Sequence, residues 1–163
     1  MLRLALYAVG GIVGLVILVS IVGVLLPKGH RASRTVTYSV PPSTLFAVIT
    51  DVGRAKEWRS DLQSVEILAP DRFRENGKNG AITFRIETRE PDRKLVTRID
   101  DTSLAFGGTW TFDIAPASGG SSLTITEDGE VYNPIFRVMQ KLFFSPYATI
   151  DTYQADLRKK LSN

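Results

Sequence analysis

The chain has no cysteine, and its only histidine is His30. Without cysteine there is no disulfide framework, no thiolate nucleophile and no lipoprotein-type acylation site. The sequence predicts that His30 lies in a short polar stalk at 27–32. A folded region beginning near Arg34 would then contain neither residue type. That excludes a Ser-His-Asp or Cys-His nucleophile system and the usual zinc sites there. Any chemistry would depend on carboxylates, Lys, Arg or Tyr, and no cofactor is predicted.

The charges are mixed and nearly balanced. The formal net charge is +3, and no stretch forms the basic stripe that a nucleic-acid-binding surface needs. We therefore expect no nucleic-acid partner.

One long uncharged run, residues 4–26, lies near the N-terminus. As a helix it would be about 34 Å long, enough to cross a hydrocarbon core of about 30 Å. The run predicts an uncleaved, single-pass membrane anchor; the alternative is a cleaved signal peptide. The α-amine and Arg3 precede the run, whereas Lys28, Arg31 and Arg34 follow it. The positive-inside rule then places the rest of the chain in the cytoplasm, by a margin of about one charge.

The remaining chain alternates apolar and polar residues in a series of short segments, as half-buried strands do. Two short helices follow the first strand, and Asn-Gly pairs at Asn76-Gly77 and Asn79-Gly80 predict a turn. Because each segment has one apolar side, the pattern indicates an antiparallel sheet covered on one face. The predicted strands are 34–40, 64–69, 72–75, 81–89, 94–100, 109–115 and 121–131.

The cover of that sheet is predicted at the C-terminus. Pro134 suits the first turn of a helix, and apolar residues recur at helical spacing as far as Leu161. Pro146 should kink this helix after Ser145. The fold class is therefore α+β: a curved antiparallel sheet wrapped around a long C-terminal helix. The predicted division is 1–33, anchor and stalk, and 34–163, folded domain.

This element order and three local sequences resemble the START-like, or SRPBCC, superfamily, which includes polyketide cyclases and lipid-transfer domains. The chain is similar to an uncharacterised bacterial, membrane-anchored member. The resemblance implies a helix-grip fold with an internal apolar cavity, and members of the superfamily differ widely in activity. The matching sequences are 48–51 with Glu57-Trp58-Arg59-Ser60-Asp61, then Phe106-Gly107-Gly108-Thr109-Trp110, and the run 123–136.

The predicted binding residues lie on the inner side of the sheet and on the facing helix. The resemblance implies that Trp58 lies near the cavity mouth, and Arg59 beside it is a candidate partner for a polar ligand group. Simple packing or solvent exposure is the alternative for these residues. By alternation the sheet contributes Phe84, Ile86, Trp110 and Phe112, and the helix contributes Met139 and Phe143.

Glu127 is the candidate acid or base. Alternation from Leu123 and Ile125 points it inward, unless Gly129 marks a bulge that changes the register. Burial would raise its pKa, and Arg59 is a candidate to neutralise it instead. A role in salt bridges at the sheet edge is the remaining alternative.

Three functions stay open on the sequence. The favoured one is binding, sensing or transfer of a hydrophobic small molecule, a lipid or isoprenoid, by a domain tethered to the membrane through residues 4–26. The second is a cyclase- or hydrolase-like enzyme that uses cavity carboxylates. The third is an accessory domain that docks on a membrane protein partner, which a contiguous exposed apolar patch outside the cavity would favour.

Overall fold

A computed structural model describes residues 1–78 and 80–162 of the chain. One long helix precedes a β-rich domain that ends in two shorter helices. Asn79, part of the predicted turn, lies outside the described residues. In chain order the elements are α1 (Leu2–Leu25), β1 (Gly29–Tyr38), α2 (Pro42–Thr50), a 3₁₀ helix (Val52–Glu57), β2 (Leu62–Ala69), β3 (Arg72–Gly77), β4 (Gly80–Glu90), β5 (Lys94–Ile99), β6 (Phe106–Ala117), β7 (Gly120–Val131), α3 (Pro134–Phe143) and α4 (Ala148–Ser162).

The seven strands form one curved antiparallel sheet in the order β1-β7-β6-β5-β4-β3-β2. Sequential strands from β2 to β7 are neighbours, and β1 closes against β7. The predicted helix-grip architecture is confirmed. All seven predicted strands are present, because each carries the period-2 alternation that one covered sheet face requires.

Helix α4 covers the concave face of the sheet. Ile150, Tyr153 and Leu157 are buried on α4 and pack in one cluster with Leu123 and Ile125 of β7. The spacing of the three helix residues is that of one buried helical stripe. Helix α2 completes the cover with buried Leu45, Phe46 and Ile49. We call the side of the sheet that faces α2 and α4 the inner face.

The C-terminal cover is broken rather than kinked. α3 ends at Phe143 and α4 begins at Ala148, so the predicted single helix over 134–161 is wrong in its middle. Pro146 cannot donate a helical hydrogen bond. Tyr147 then packs under the guanidinium of Arg34, whose Cζ lies 3.8 Å from the ring centroid. That contact holds the start of α4 against β1, while α3 turns away toward α1.

Strand β1 begins at Gly29 rather than at Arg34. Gly29 pairs with Glu130, and the pairing with β7 continues to Tyr38 and Ser121. The predicted stalk at 27–32 is therefore mostly strand, and His30 is a residue of the folded domain. The division into 1–33 and 34–163 stays a prediction, and the position of β1 argues for an earlier boundary.

Over Leu6–Leu25, helix α1 is long and apolar enough to span a membrane. A signal sequence near the N-terminus can meet the same criterion of length and composition. Most described residues of this segment are exposed, in contrast to the apolar helices of a protein core.

Candidate functional site

An aromatic cluster occupies the centre of the inner face, around Tyr153 of α4. The Tyr153 ring centroid lies 5.2 Å from that of Trp58, 5.4 Å from that of Phe112 and 6.2 Å from that of Trp110. Such edge-on and tilted geometries are favourable for aromatic pairs. The structure therefore brings three of the predicted site residues together. Tyr153 is the residue that the others surround, although in the sequence it is only one member of the apolar stripe of the C-terminal helix.

A buried ionic cluster adjoins these rings. Arg59 donates two hydrogen bonds to the carboxylate of Asp61, at 3.1 and 2.7 Å, and a third to Glu75 at 2.6 Å. Its Cζ lies 5.2 Å from the Tyr153 ring centroid. Burial raises the pKa of Glu75, and the attraction of Arg59 offsets this only in part. Arg59 is thus committed to two carboxylates, and the expectation that it neutralises Glu127 is wrong.

The actual partner of Glu127 is His30. Nε2 of His30 lies 3.6 Å from a carboxylate oxygen of Glu127, and the Gln140 side-chain nitrogen lies 3.3 Å from Nδ1 of the same ring. Burial raises the pKa of Glu127, and the His30 ring partly offsets this effect. The pair joins β1, β7 and α3 at one end of the inner face.

Gly129 makes room for this pair. It stands opposite His30 in the β1–β7 register, and a Cβ at Gly129 would overlap the imidazole ring. The β6–β7 pairing runs residue by residue from Phe106↔Val131 to Ala117↔Gly120. Glu127 therefore keeps the inward direction that alternation predicted. The position of His30 escaped sequence reasoning because the signal for the start of β1 is weak.

The inner face is sealed at one end and partly exposed at the other. Phe112 is 5% exposed. In contrast, Phe84, Ile86, Trp110 and Glu127 are only partly buried. Trp110 stands directly opposite Glu127 in the sheet register, and Phe84 stacks on Phe73 with centroids 5.4 Å apart. We call Phe84, Ile86, Trp110 and Glu127 the inner-face patch.

Met139 and Phe143 do not enclose this patch. They are 42% and 73% exposed on α3, so neither side chain is packed into a closed cavity with the strand aromatics. The physical reason is the break before α4, which lets α3 pack against α1 instead of along the sheet. Their role in binding stays a prediction.

Two of the open depressions on the described surface lie outside the inner-face patch. One, of about 200 Å³, is bordered by Trp58 at the junction of α2, the 3₁₀ helix and the end of α4. The other follows the outer side of α4 from Ala155 to Ser162. Within 1–78 and 80–162, no group of three or more His, Asp or Glu residues is arranged to hold a metal ion.

Residues 29–159 match the family model described as polyketide cyclase / dehydrase and lipid transport. The match starts at the observed first residue of β1 and covers the sheet, α3 and α4 as far as residue 159. No curated protein matches the chain.

Solved structures share the fold at low sequence identity. A START superfamily protein from Mycobacterium smegmatis is 17% identical with a TM-score of 0.67, covering 82% of this chain and 97% of that one. Norcoclaurine synthase from Thalictrum flavum is 8% identical, with a TM-score of 0.65 and coverages of 83% and 87%. The di-domain ARO/CYC StfQ from the steffimycin biosynthetic pathway is 11% identical, with a TM-score of 0.63 and coverages of 83% and 50%.

Proposed function

The chain belongs to the polyketide cyclase / dehydrase and lipid transport family, and from that premise we propose that it binds a hydrophobic small molecule at a membrane surface. The ligand class is a lipid or isoprenoid. The domain takes it up on the inner face of the sheet, and α1 tethers the domain to the bilayer.

The main support for the proposal is that the inner-face patch stays partly exposed. Trp110 and Ile86 pack against the core on one side and stay partly exposed on the other. Apolar side chains in that position gain by covering their exposed surface, at about 25 cal/mol per Å². A long apolar ligand lying on this patch would supply that cover, with Glu127 and His30 available for a polar end group.

The tether supports the same function. Because α1 leads into β1 within a few residues, a membrane-spanning α1 holds the inner face close to a reservoir of apolar molecules. Tethering raises the effective concentration of a ligand that partitions into the bilayer. The proposed orientation, with the domain in the cytoplasm, rests on the charges that flank α1. A membrane-impermeant maleimide should then label Ser162→Cys only after intact cells are opened.

The test of binding is photo-crosslinking of the full chain in vesicles that contain a diazirine-bearing long-chain fatty acid. Any membrane helix collects adducts, so adducts on α1 serve as the internal reference. Binding on the inner face predicts a second set of adducts on Phe84, Ile86 and Trp110, mapped by peptide mass spectrometry.

A blocking variant with a matched control sharpens the result. Ile86→Trp should fill the patch and lower adduct formation at Trp110 at least threefold, without changing adducts on α1. Ile67→Trp adds the same side chain at an exposed position of β2 and should change neither. Adducts confined to α1 in the native chain would contradict the proposal.

The His30–Glu127 pair favours one second candidate, an enzyme of the cyclase or hydrolase type. An imidazole and a carboxylate of raised pKa on a partly exposed surface can exchange a proton with a bound molecule. Lipid extracts from purified native chain and from Glu127→Gln test this. Catalysis predicts that the variant retains a precursor that the native chain converts. Identical extracts would argue against catalysis and favour binding without a reaction.

A further inference from the structure

Helix α3 exposes an apolar stripe that the fold of the domain does not use. Phe136, Met139 and Phe143 recur at the spacing of one helix face, and Leu142 and Phe144 widen it. All five are exposed, Phe143 by 73% and Leu142 by 68%. Gln140 lies between Phe136 and Phe143 on the same helix face and reaches His30 of β1, so one edge of the stripe adjoins the domain. Arg137 anchors the other side of α3.

The first turn of α3 packs directly against the end of α1. A Cβ at Gly23 would overlap the main-chain oxygen of Pro134, so the two backbones touch without an intervening side chain. This close approach resembles the small-residue contacts of packed membrane helices.

Arg137 joins the two helices by hydrogen bonds. It is 7% exposed, and its Nη1 donates to the main-chain oxygens of Gly23 at 3.1 Å and Leu26 at 3.5 Å. The remaining donors reach the main-chain oxygens of Val131 at 2.8 Å and Tyr132 at 2.9 Å. The last carbonyl groups of a helix lack partners within it and carry partial negative charge. Arg137 therefore caps the C-terminal end of α1 and ties it to the residues that precede α3.

These contacts determine the depth of α3 relative to a bilayer. Gly23 lies two residues before Leu25, the end of the apolar segment, or about 3 Å along the helix axis. If α1 spans the membrane, Pro134 must lie at the boundary between hydrocarbon and headgroups. A helix that begins there and exposes an apolar stripe meets the description of an interfacial helix.

We infer that α3 is a second membrane contact, lying in the bilayer interface with Phe136, Met139, Leu142, Phe143 and Phe144 among the lipid acyl chains. The inference rests on the tether proposed above. It also explains why the C-terminal helix breaks at 144–147. The break lets α3 lie against the membrane while α4 packs on the core. The exposed patch outside the inner face thereby has a lipid surface as its occupant rather than a protein partner.

The absence of native cysteine permits a direct test on the full chain. Single Cys variants are labelled with the polarity-sensitive dye NBD and placed one chain per nanodisc, in phosphatidylcholine with phosphatidylglycerol. Phe143→Cys reports the apolar stripe, with Leu142→Cys as a second reporter. Lys141→Cys is the matched control on the exposed polar side, and Leu15→Cys reports whether α1 spans the bilayer.

Lipids carrying a shallow doxyl quencher should quench the dye at position 143 or 142 at least threefold more than the dye at position 141. Iodide in the water should do the reverse. The inference is overturned if iodide reaches the dye at position 143 as well as it reaches the dye at position 141. If the lipid quencher still quenches the Leu15→Cys dye in that case, the tether remains intact. A Leu15→Cys dye accessible to iodide overturns the tether and the inference together. Shielding at 143 that appears only with two chains per nanodisc would assign the stripe to a second copy and overturn the lipid assignment.

Discussion

Arg137 and Gly23 are separated by most of the chain, yet the guanidinium of Arg137 donates a 3.1 Å hydrogen bond to the main-chain oxygen of Gly23. A charged group so deeply buried needs hydrogen-bond partners, and here main-chain carbonyl groups accept from all three guanidinium nitrogens. The end of the apolar helix is therefore packed against the domain and hydrogen-bonded to it, and the two are not joined by a loose stalk.

Gly23→Ala should loosen this joint. The added methyl group meets backbone atoms of Pro134, which cannot rotate away, and overpacking of that kind costs about 1–3 kcal/mol. Since proteolysis follows the population of the opened form, a loss of about 1 kcal/mol predicts tryptic cleavage after Arg137 about five times faster.

Gly14→Ala is the matched control in the same helix, because nothing lies within 4 Å of a Cβ at Gly14. Its cleavage rate should equal that of the native chain. Equal rates for both variants would show that α1 and α3 do not pack against each other in the folded protein.

Loss of the Arg59 side chain should destabilise the domain. Its side chain is 12% exposed and that of Glu75 is 13% exposed, so Arg59→Met leaves a buried carboxylate without its cation. Breaking such a pair costs about 3 kcal/mol, measured as the free energy of unfolding in urea. The double variant Arg59→Met/Glu75→Gln should recover part of the loss, because the second change removes the unpaired charge. A single variant as stable as the native chain would contradict the assignment.

Much of the fold was predictable because its signals are local. The alternation within each strand and the apolar stripe of α4 depend only on neighbouring residues, and these predicted the sheet, its covered face and the inward direction of Glu127. The start of β1 was not predictable in the same way. His30 is held in place by Glu127 and Gln140. Because these residues are about a hundred positions away in the sequence, no local pattern could predict the contact.

The break between α3 and α4 shows the same limit. Pro146 signalled an interruption, but whether a helix bends or separates there depends on tertiary contacts. Tyr147 packs under Arg34, while Pro134 packs against Gly23, and the two contacts pull the halves apart. The one sequence signal for the second contact was Arg137, a single charge between Phe136 and Val138.

The two buried tyrosines among the five of the chain should resist ionisation at alkaline pH. Burial raises the pKa of Tyr38 from 10.0 to about 12 and also raises that of Tyr153. Tyr38 donates to the side-chain oxygen of Gln154, so the neutral phenol is the form that the fold holds. A raised pKa contributes stability that is complete below the unfolded value and is lost as pH rises through the folded value. Stability should therefore fall between pH 10 and 12.

Absorbance of tyrosinate near 295 nm measures this titration in the folded chain and in urea. In Tyr38→Phe the loss of stability above pH 10 should be less steep than in the native chain, since one linked group is gone. Ionisation of all five tyrosines near pH 10 with the fold intact would argue against the burial of both residues.

Truncation tests where the folded domain begins. A chain starting at Lys28 keeps all of β1, including Ala32, which is 2% exposed, and the hydrogen bond from the Val131 nitrogen to the Lys28 oxygen at 2.9 Å. Removal of residues 1–33 deletes the part of β1 that pairs with Thr126–Glu130 and takes His30 from Glu127. Each backbone hydrogen bond contributes about 0.5–1.5 kcal/mol. The shorter chain should therefore be less stable by at least about 2 kcal/mol in urea unfolding. Both need mild detergent, because each exposes the apolar stripe of α3. Equal stability would instead favour the boundary at residues 33 and 34 and make the first half of β1 an extension that the domain does not need.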